Sequence, residues 1–154
     1  VSERWRDLLT QWDGHADGKC LTFIDLHAVM AELRSGQEAL AERRLGWMRE
    51  TASSGVEGAS CYREVGIPLV EGLMAFHRGA YQQAVAHLLP IRVDLWRIGG
   101  SHAQRDIVDW TLTEAAVRGG VRDVALALAH ERLGARPRST VNRNFLGRAE
   151  LIAA

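Results

Sequence analysis

The sequence predicts an all-α fold: about three antiparallel helix pairs stacked in series, an α–α superhelix closed by terminal capping helices. The first observation behind this is an internal repeat. Three stretches are versions of one another: LHAVMAELRSGQEALAERRL at 26–45, LVEGLMAFHRGAYQQAVAHLL at 69–89 and LTEAAVRGGVRDVALALA at 112–129. Each sets an apolar helical stripe and a basic residue near a glycine, with Ala five residues after that glycine and an apolar residue nine after it. These are Gly36, Ala41 and Leu45; Gly79, Ala84 and Leu88; Gly120, Ala125 and Ala129. The second observation is the period, 43 residues from Gly36 to Gly79 and 41 from Gly79 to Gly120, the scale of a stacked helix pair. The third is that no stretch alternates with period two for long enough to make a strand.

In chain order, a short helix comes first over residues 2–12, where Trp5, Leu8, Leu9 and Trp12 fall on one face. WDGHADGK, residues 12–19, reads as a turn-rich loop. Thr22 followed by Asp25 approximates a capping box, so helix A of repeat one should start near Thr22 and end at Ser35-Gly36. Helix B follows to about residue 51. ASSGVEG, residues 52–58, is made of small residues that bury little, and is expected to be the main internal break and the most mobile segment. Repeat two begins near Ser60; Pro68 implies either a helix start near Ile67 or a kink. Its helix B spans about 80–98 and should bend toward the core at Pro90 before Gly99-Gly100 end it. Repeat three takes helix A over 102–117 and helix B over 122–133, with Pro137 blocking continuation. A last helix, 141–152, would cover the remaining apolar face. The chain thus reads as one helical domain over 1–154, with repeats at about 22–51, 60–98 and 101–134 and terminal helices at 2–12 and 141–152.

At 154 residues the chain can bury a substantial core, and 47% apolar content is an ordinary globular fraction. Nineteen basic and nineteen acidic residues give no formal net charge, which argues against a nucleic-acid binder. Lys19 is the only lysine, and the Arg- and Ala-rich usage suggests a bacterial source. Cys20 and Cys61 stand in no metal or redox motif and read as reduced thiols of a cytoplasmic protein, with a single disulfide as the alternative. No apolar run nears the ~20 residues that span a bilayer, and the start carries no secretory pattern. Because the chain opens at Val1 already in helical pattern, it reads as a piece of a longer protein.

Gly72, Phe76, Gly79, Tyr81, Ala84 and Leu88, with Ala115, Ala116, Gly119 and Ala125, resemble the tetratricopeptide pattern, here with a period longer than the usual one. Two further strings, FIDLHAVMA (23–31) and LLPIRVDLWRIGGSHAQRD (88–106), resemble the tetratricopeptide repeat protein 38-like family of bacteria and eukaryotes. The likeness covers about residues 23–137. It implies an all-helical array corresponding to the C-terminal part of a family member, and it implies no particular activity.

The most conspicuous polar string is GGSHAQRD, residues 99–106. The glycines suit a left-handed helix exit, and Ser101 with Gln104 suits a capping box for the next helix. His102, Arg105 and Asp106 remain, and the first two, beside a helix N-terminus, suit an anionic group. Asp25 and His27 point to different faces of one helix; His27 could meet His102 across neighbouring helices, with Asp25 or Asp106 completing a metal or acid/base set. Buried, hydrogen-bonded histidines are the simpler reading. Trp96 and Trp110 flank the string as an apolar wall, although packing accounts for most tryptophans. The Arg-rich tail, residues 131–148, suits a solvated helix face. No HExxH, GxSxG, Cys-His or phosphate-loop spacing occurs.

The expectation is a non-catalytic scaffold without cofactor or metal. It would bind a protein or peptide partner in the concave groove of its A helices, through His27, His102, Arg105, Asp106 and Trp110. The preferred partner would carry an acidic group or a C-terminal carboxylate, and neither a membrane nor nucleic acid is expected. The alternative is an enzyme or enzyme part using His27 and His102, which requires those groups to converge within about 3 Å or one water. An open end of the stack could also pair with its own copy, giving a homodimer.

Overall fold

The computed structural model describes residues 3–13 and 21–153. Among these the protein is all helix, 82% of it, with no strand, well above the half that a stack of helix pairs requires. The helices are α1 (Glu3–Asp13), α2 (Thr22–Arg34), α3 (Glu38–Ser53), α4 (59–77), α5 (81–98), α6 (His102–Arg118), α7 (Arg122–Ala135) and α8 (Thr140–Glu150). Three antiparallel pairs, α2/α3, α4/α5 and α6/α7, sit between the terminal helices α1 and α8. Each helix packs on the next. The A helices α2, α4 and α6 also pack on one another in series, and α8 closes against α6 and α7. None of these helices is long and apolar enough to cross a membrane.

The turn inside each pair is the same object three times. Ser35, Arg78 and Gly119 close the A helices in right-handed geometry. Gly36, Gly79 and Gly120 follow with φ of 80°, 78° and 67°, which a residue with a Cβ enters only at a cost. The amides of the next residues, Gln37, Ala80 and Val121, then donate to the carbonyls of Glu32, Ala75 and Ala116 at 2.8–2.9 Å, while each glycine amide reaches back three residues. This is the Schellman arrangement, which satisfies carbonyls a helix end would otherwise leave unpaired. Helix B starts one residue later in every pair. The glycines that mark the sequence repeat are therefore the hinges of a structural repeat.

The other repeat positions form the core. Ala41, Ala84 and Ala125 are fully buried, and so are Leu45, Leu88 and Ala129, where helices A and B face each other. In the second pair a Cβ on Gly72 would lie 2.5 Å from a methyl of Leu88, so the two helices touch almost backbone to side chain. Enlarging Ala84 to Leu is expected to overpack this crossing and cost about 1–3 kcal/mol. A chemical-denaturation midpoint equal to wild type would show that the crossing has room to spare.

Two local expectations are corrected and a third is refined. Thr22 is the first helical residue, not the cap; Leu21 occupies that position with no side-chain cap. Asp25 is unavailable to close a box because it is buried, accepting from Arg44 Nη1 at 3.2 Å and Tyr62 Oη at 3.0 Å. The break before repeat two is shorter than expected: α3 continues to Ser53 and Ala52 is buried, leaving 54–58 as the exposed connection. Pro68 stands in the first turn of a regular α-helical segment, Ile67–His77, as one of its two readings expected, but that segment continues an earlier helical stretch. The helix is already formed at Ala59 and passes through a π-helical stretch, Tyr62–Gly66, directly before it. A wider turn there re-routes the ladder that the proline nitrogen cannot join. Pro90 acts differently in α5, whose α-helical part ends at Ile91 and tightens into a 3₁₀ segment, Arg92–Ile98.

Two buried carboxylate clusters lock the ends of the stack. In repeat one, the Arg44 guanidinium lies between Asp25 and Glu32, with Nε at 3.0 Å and Nη2 at 2.6 Å from Glu32, and all three side chains are almost wholly buried. At the other end, Glu114 of α6 is held by Arg118 of its own helix and by Arg148 of α8 at 2.7 Å. The interior position of Glu114 thus becomes the anchor for the last helix.

Candidate functional site

The A helices form one groove of about 350 Å³, within the roughly 300–1,000 Å³ usual for ligand sites. Its walls come from the same repeat positions in successive pairs. Two residues before each turn glycine stand Arg34, His77 and Arg118; three before stand Leu33 and Phe76; six before stand Met30 and Leu73. Trp5 of α1, Tyr81 and Ile107 complete it. The floor is apolar and the rim basic, and no carboxylate of the described residues lines it. In the third pair the position six before the glycine is Glu114, but its side chain is buried between Arg118 and Arg148 and leaves the groove to the arginine.

Arg118 is the most constrained rim residue. It donates to the Tyr81 hydroxyl at 3.1 Å, and its guanidinium carbon lies 5.5 Å from the centre of the Tyr81 ring. Tyr81 in turn meets Phe76 edge to face, with ring centres 5.5 Å apart. The hydrogen bonds to Tyr81 and Glu114 outweigh burial and hold Arg118 more firmly charged than a free arginine. Arg34 and His77 are exposed, and no ion pair of either is found among the described residues.

The five residues singled out in the sequence lie elsewhere. His102, Arg105 and Asp106 share a second cleft, of about 370 Å³, with Val93 and Trp96 of the 3₁₀ segment. Ser101 caps α6 as expected: its hydroxyl accepts from the Gln104 amide at 3.3 Å, and Gln104 Oε1 accepts from the Ser101 amide at 2.9 Å. Ser101→Ala is expected to cost about 0.5–2 kcal/mol in a urea melt; no change would mean that the Gln104 half of the box suffices. Arg105 turns back, donating to the carbonyls of Gly99 and Gly100, with His102 Nδ1 at 3.4 Å. Asp106 bridges Arg132 at 2.9 Å and Arg136 at 3.4 Å. Burial pushes the Asp106 carboxyl up, but the two guanidinium partners outweigh it and hold the group below the usual carboxylate range.

His27 and Trp110 line neither space. His27 bonds the Phe23 carbonyl through Nδ1 at 2.8 Å and stacks against Phe23 and Trp12. Phe23 lies against Gly100, where a Cβ would fall 2.4 Å from its ring. The GGSH turn and the His27 face are thus linked through an aromatic ring rather than through a shared polar centre. Trp110 meets Phe145 of α8 edge to face, with ring centres 5.6 Å apart. No group of three or more His, Cys, Asp or Glu side chains able to hold a metal is found among the described residues. The Cys61 thiol donates to the Arg97 carbonyl at 3.6 Å and touches the Thr22 hydroxyl; Cys20 lies outside the described residues.

The repeat carries a sequence signal for this groove, although no single residue of it stands out by type. A basic residue recurs two positions before each turn glycine, and on stacked A helices equivalent positions share a face. In comparison with known proteins, no family model matches the chain, and no solved structure matches it.

Proposed function

We propose that the protein is a non-catalytic helical-repeat scaffold, built of tetratricopeptide-like pairs that curve into a superhelix. It would bind a peptide or protein partner in the groove of its A helices. The observation that carries this reading is that equivalent positions of successive pairs converge on one apolar groove with a basic rim. Repetition of this kind suits an extended ligand contacted by several pairs at once. A rim of Arg34, His77 and Arg118 without a carboxylate favours a partner with acidic side chains or a C-terminal carboxylate. The groove is preferred to the second cleft because Arg105 and Asp106 there already bond to neighbouring backbone and side chains.

Peptides selected by display against the 154-residue chain test the reading. They are expected to lose binding to Ile107→Asp and Arg34→Glu, two exposed groove changes, and to keep it for Val93→Asp in the second cleft. The opposite pattern would move the site to the cleft of His102, Arg105 and Asp106.

A further inference from the structure

We infer that the groove selects an extended peptide segment carrying two acidic side chains six residues apart, with a bulky apolar side chain four residues after the first, on the same side of the chain; this rests on the groove-binding reading above. α2, α4 and α6 pack in series, and packed helices lie roughly 8–10 Å apart. Arg34 on α2 and Arg118 on α6 occupy equivalent positions two spacings apart, roughly 16–20 Å. An extended chain rises about 3.3 Å per residue, so six residues span about 20 Å. Because its side chains alternate, residues six apart also project to the same side, whereas five or seven apart they oppose.

Charge gives the ends of the ruler their chemistry. Arg34 is exposed, with no ion pair found among the described residues. Arg118 shares Glu114 with Arg148, so that trio retains one positive charge, presented beside Tyr81. Between the two arginines the groove offers Met30, Leu73 and Phe76, with His77 as a polar donor above them. The middle of the segment therefore meets apolar surface, and its ends meet guanidinium groups. A helical ligand would need a different pattern. At 1.5 Å rise, acids about eleven to thirteen residues apart are required to cover roughly 16–20 Å.

Fluorescein-labelled Gly/Ser peptides bearing two Glu at spacings of five, six, seven or eleven, with one Phe four residues after the first Glu, decide this by anisotropy against the 154-residue chain. The spacing-six peptide is expected to bind about tenfold more tightly than the five and seven spacings and than its Gln counterpart, the scale of one charge-assisted contact. Arg34→Gln is expected to erase that preference while the melting temperature stays put, and added salt to shrink it. An optimum at eleven, or equal binding at all spacings, would overturn the extended two-acid ruler. Equal binding of the Gln peptide would overturn it too while leaving groove binding intact. Binding by none of the peptides would sink both.

Discussion

Arg44→Ala is expected to destabilise the protein by about 3–5 kcal/mol, the scale of leaving buried charge unpaired. Arg44 spends three nitrogen donors on Asp25 and Glu32, and none of the three side chains has meaningful access to water. Removing the guanidinium leaves two carboxylates one helix face apart, seven residues along α2, with no cation between them. Tyr62 would still donate to Asp25, which offsets part of the loss there and none at Glu32. At roughly 2–4 °C per kcal/mol for a chain of this size, the melting midpoint should fall by about 6–20 °C. Arg44→Lys keeps the charge and loses the fork, and should fall between the two. A midpoint within about 2 °C of wild type for the alanine variant, well inside the expected shift, would show that the carboxylates find other partners.

Acidification should have the second large effect, concentrated in the C-terminal half. Asp106 and Glu114 are pushed up by burial but held below the ordinary carboxylate range by their arginine partners, and Glu131 is held down mainly by its hydrogen bond from Arg92. A carboxylate whose folded pKa is depressed contributes stability that is fully present above its unfolded pKa, about 4. That contribution is lost as pH falls through the folded value. The denaturation midpoint should therefore be flat from neutrality to about pH 5 and drop steeply below about pH 4. Glu114→Gln should make the low-pH limb shallower while lowering stability at pH 7. A limb of unchanged steepness would show that Glu114 titrates alike in both states.

What the sequence made legible was whatever depends on residues close together in the chain. The three turn glycines, the buried alanines five residues later and the Ser101–Gln104 box were all readable, because each is set by local backbone geometry and helix period. Asp25 was misread for the same reason. Three residues after a threonine, its local role is a cap, and only the approach of α3 and α4 supplies Arg44 and Tyr62. The groove was hidden one level higher. Arg34, His77 and Arg118 are ordinary basic residues at helix ends until the A helices stand side by side, whereas GGSHAQRD drew attention by composition alone. There Arg105 proves to be tied to the carbonyls just before its own helix, so Arg105→Ala should lower the melting temperature.

The order in which the helices pack also bears on how the molecule comes apart. Among the described residues, every extensive helix–helix contact joins neighbours in the chain or next-but-one neighbours. A molecule wired this way closes few long loops when it folds, and contact formation can spread from pair to pair, which favours fast folding. The same wiring lets the ends open without the middle. Amide exchange should then follow a gradient: slowest in α4 and α5, whose pair is covered on both sides, and faster toward α1 and α8. The acid-sensitive Glu114 anchor sits at one end of that gradient and the Arg44 cluster near the other. The two clusters thus act as independent latches on opposite ends, each setting how far its own end frays before the central pair yields.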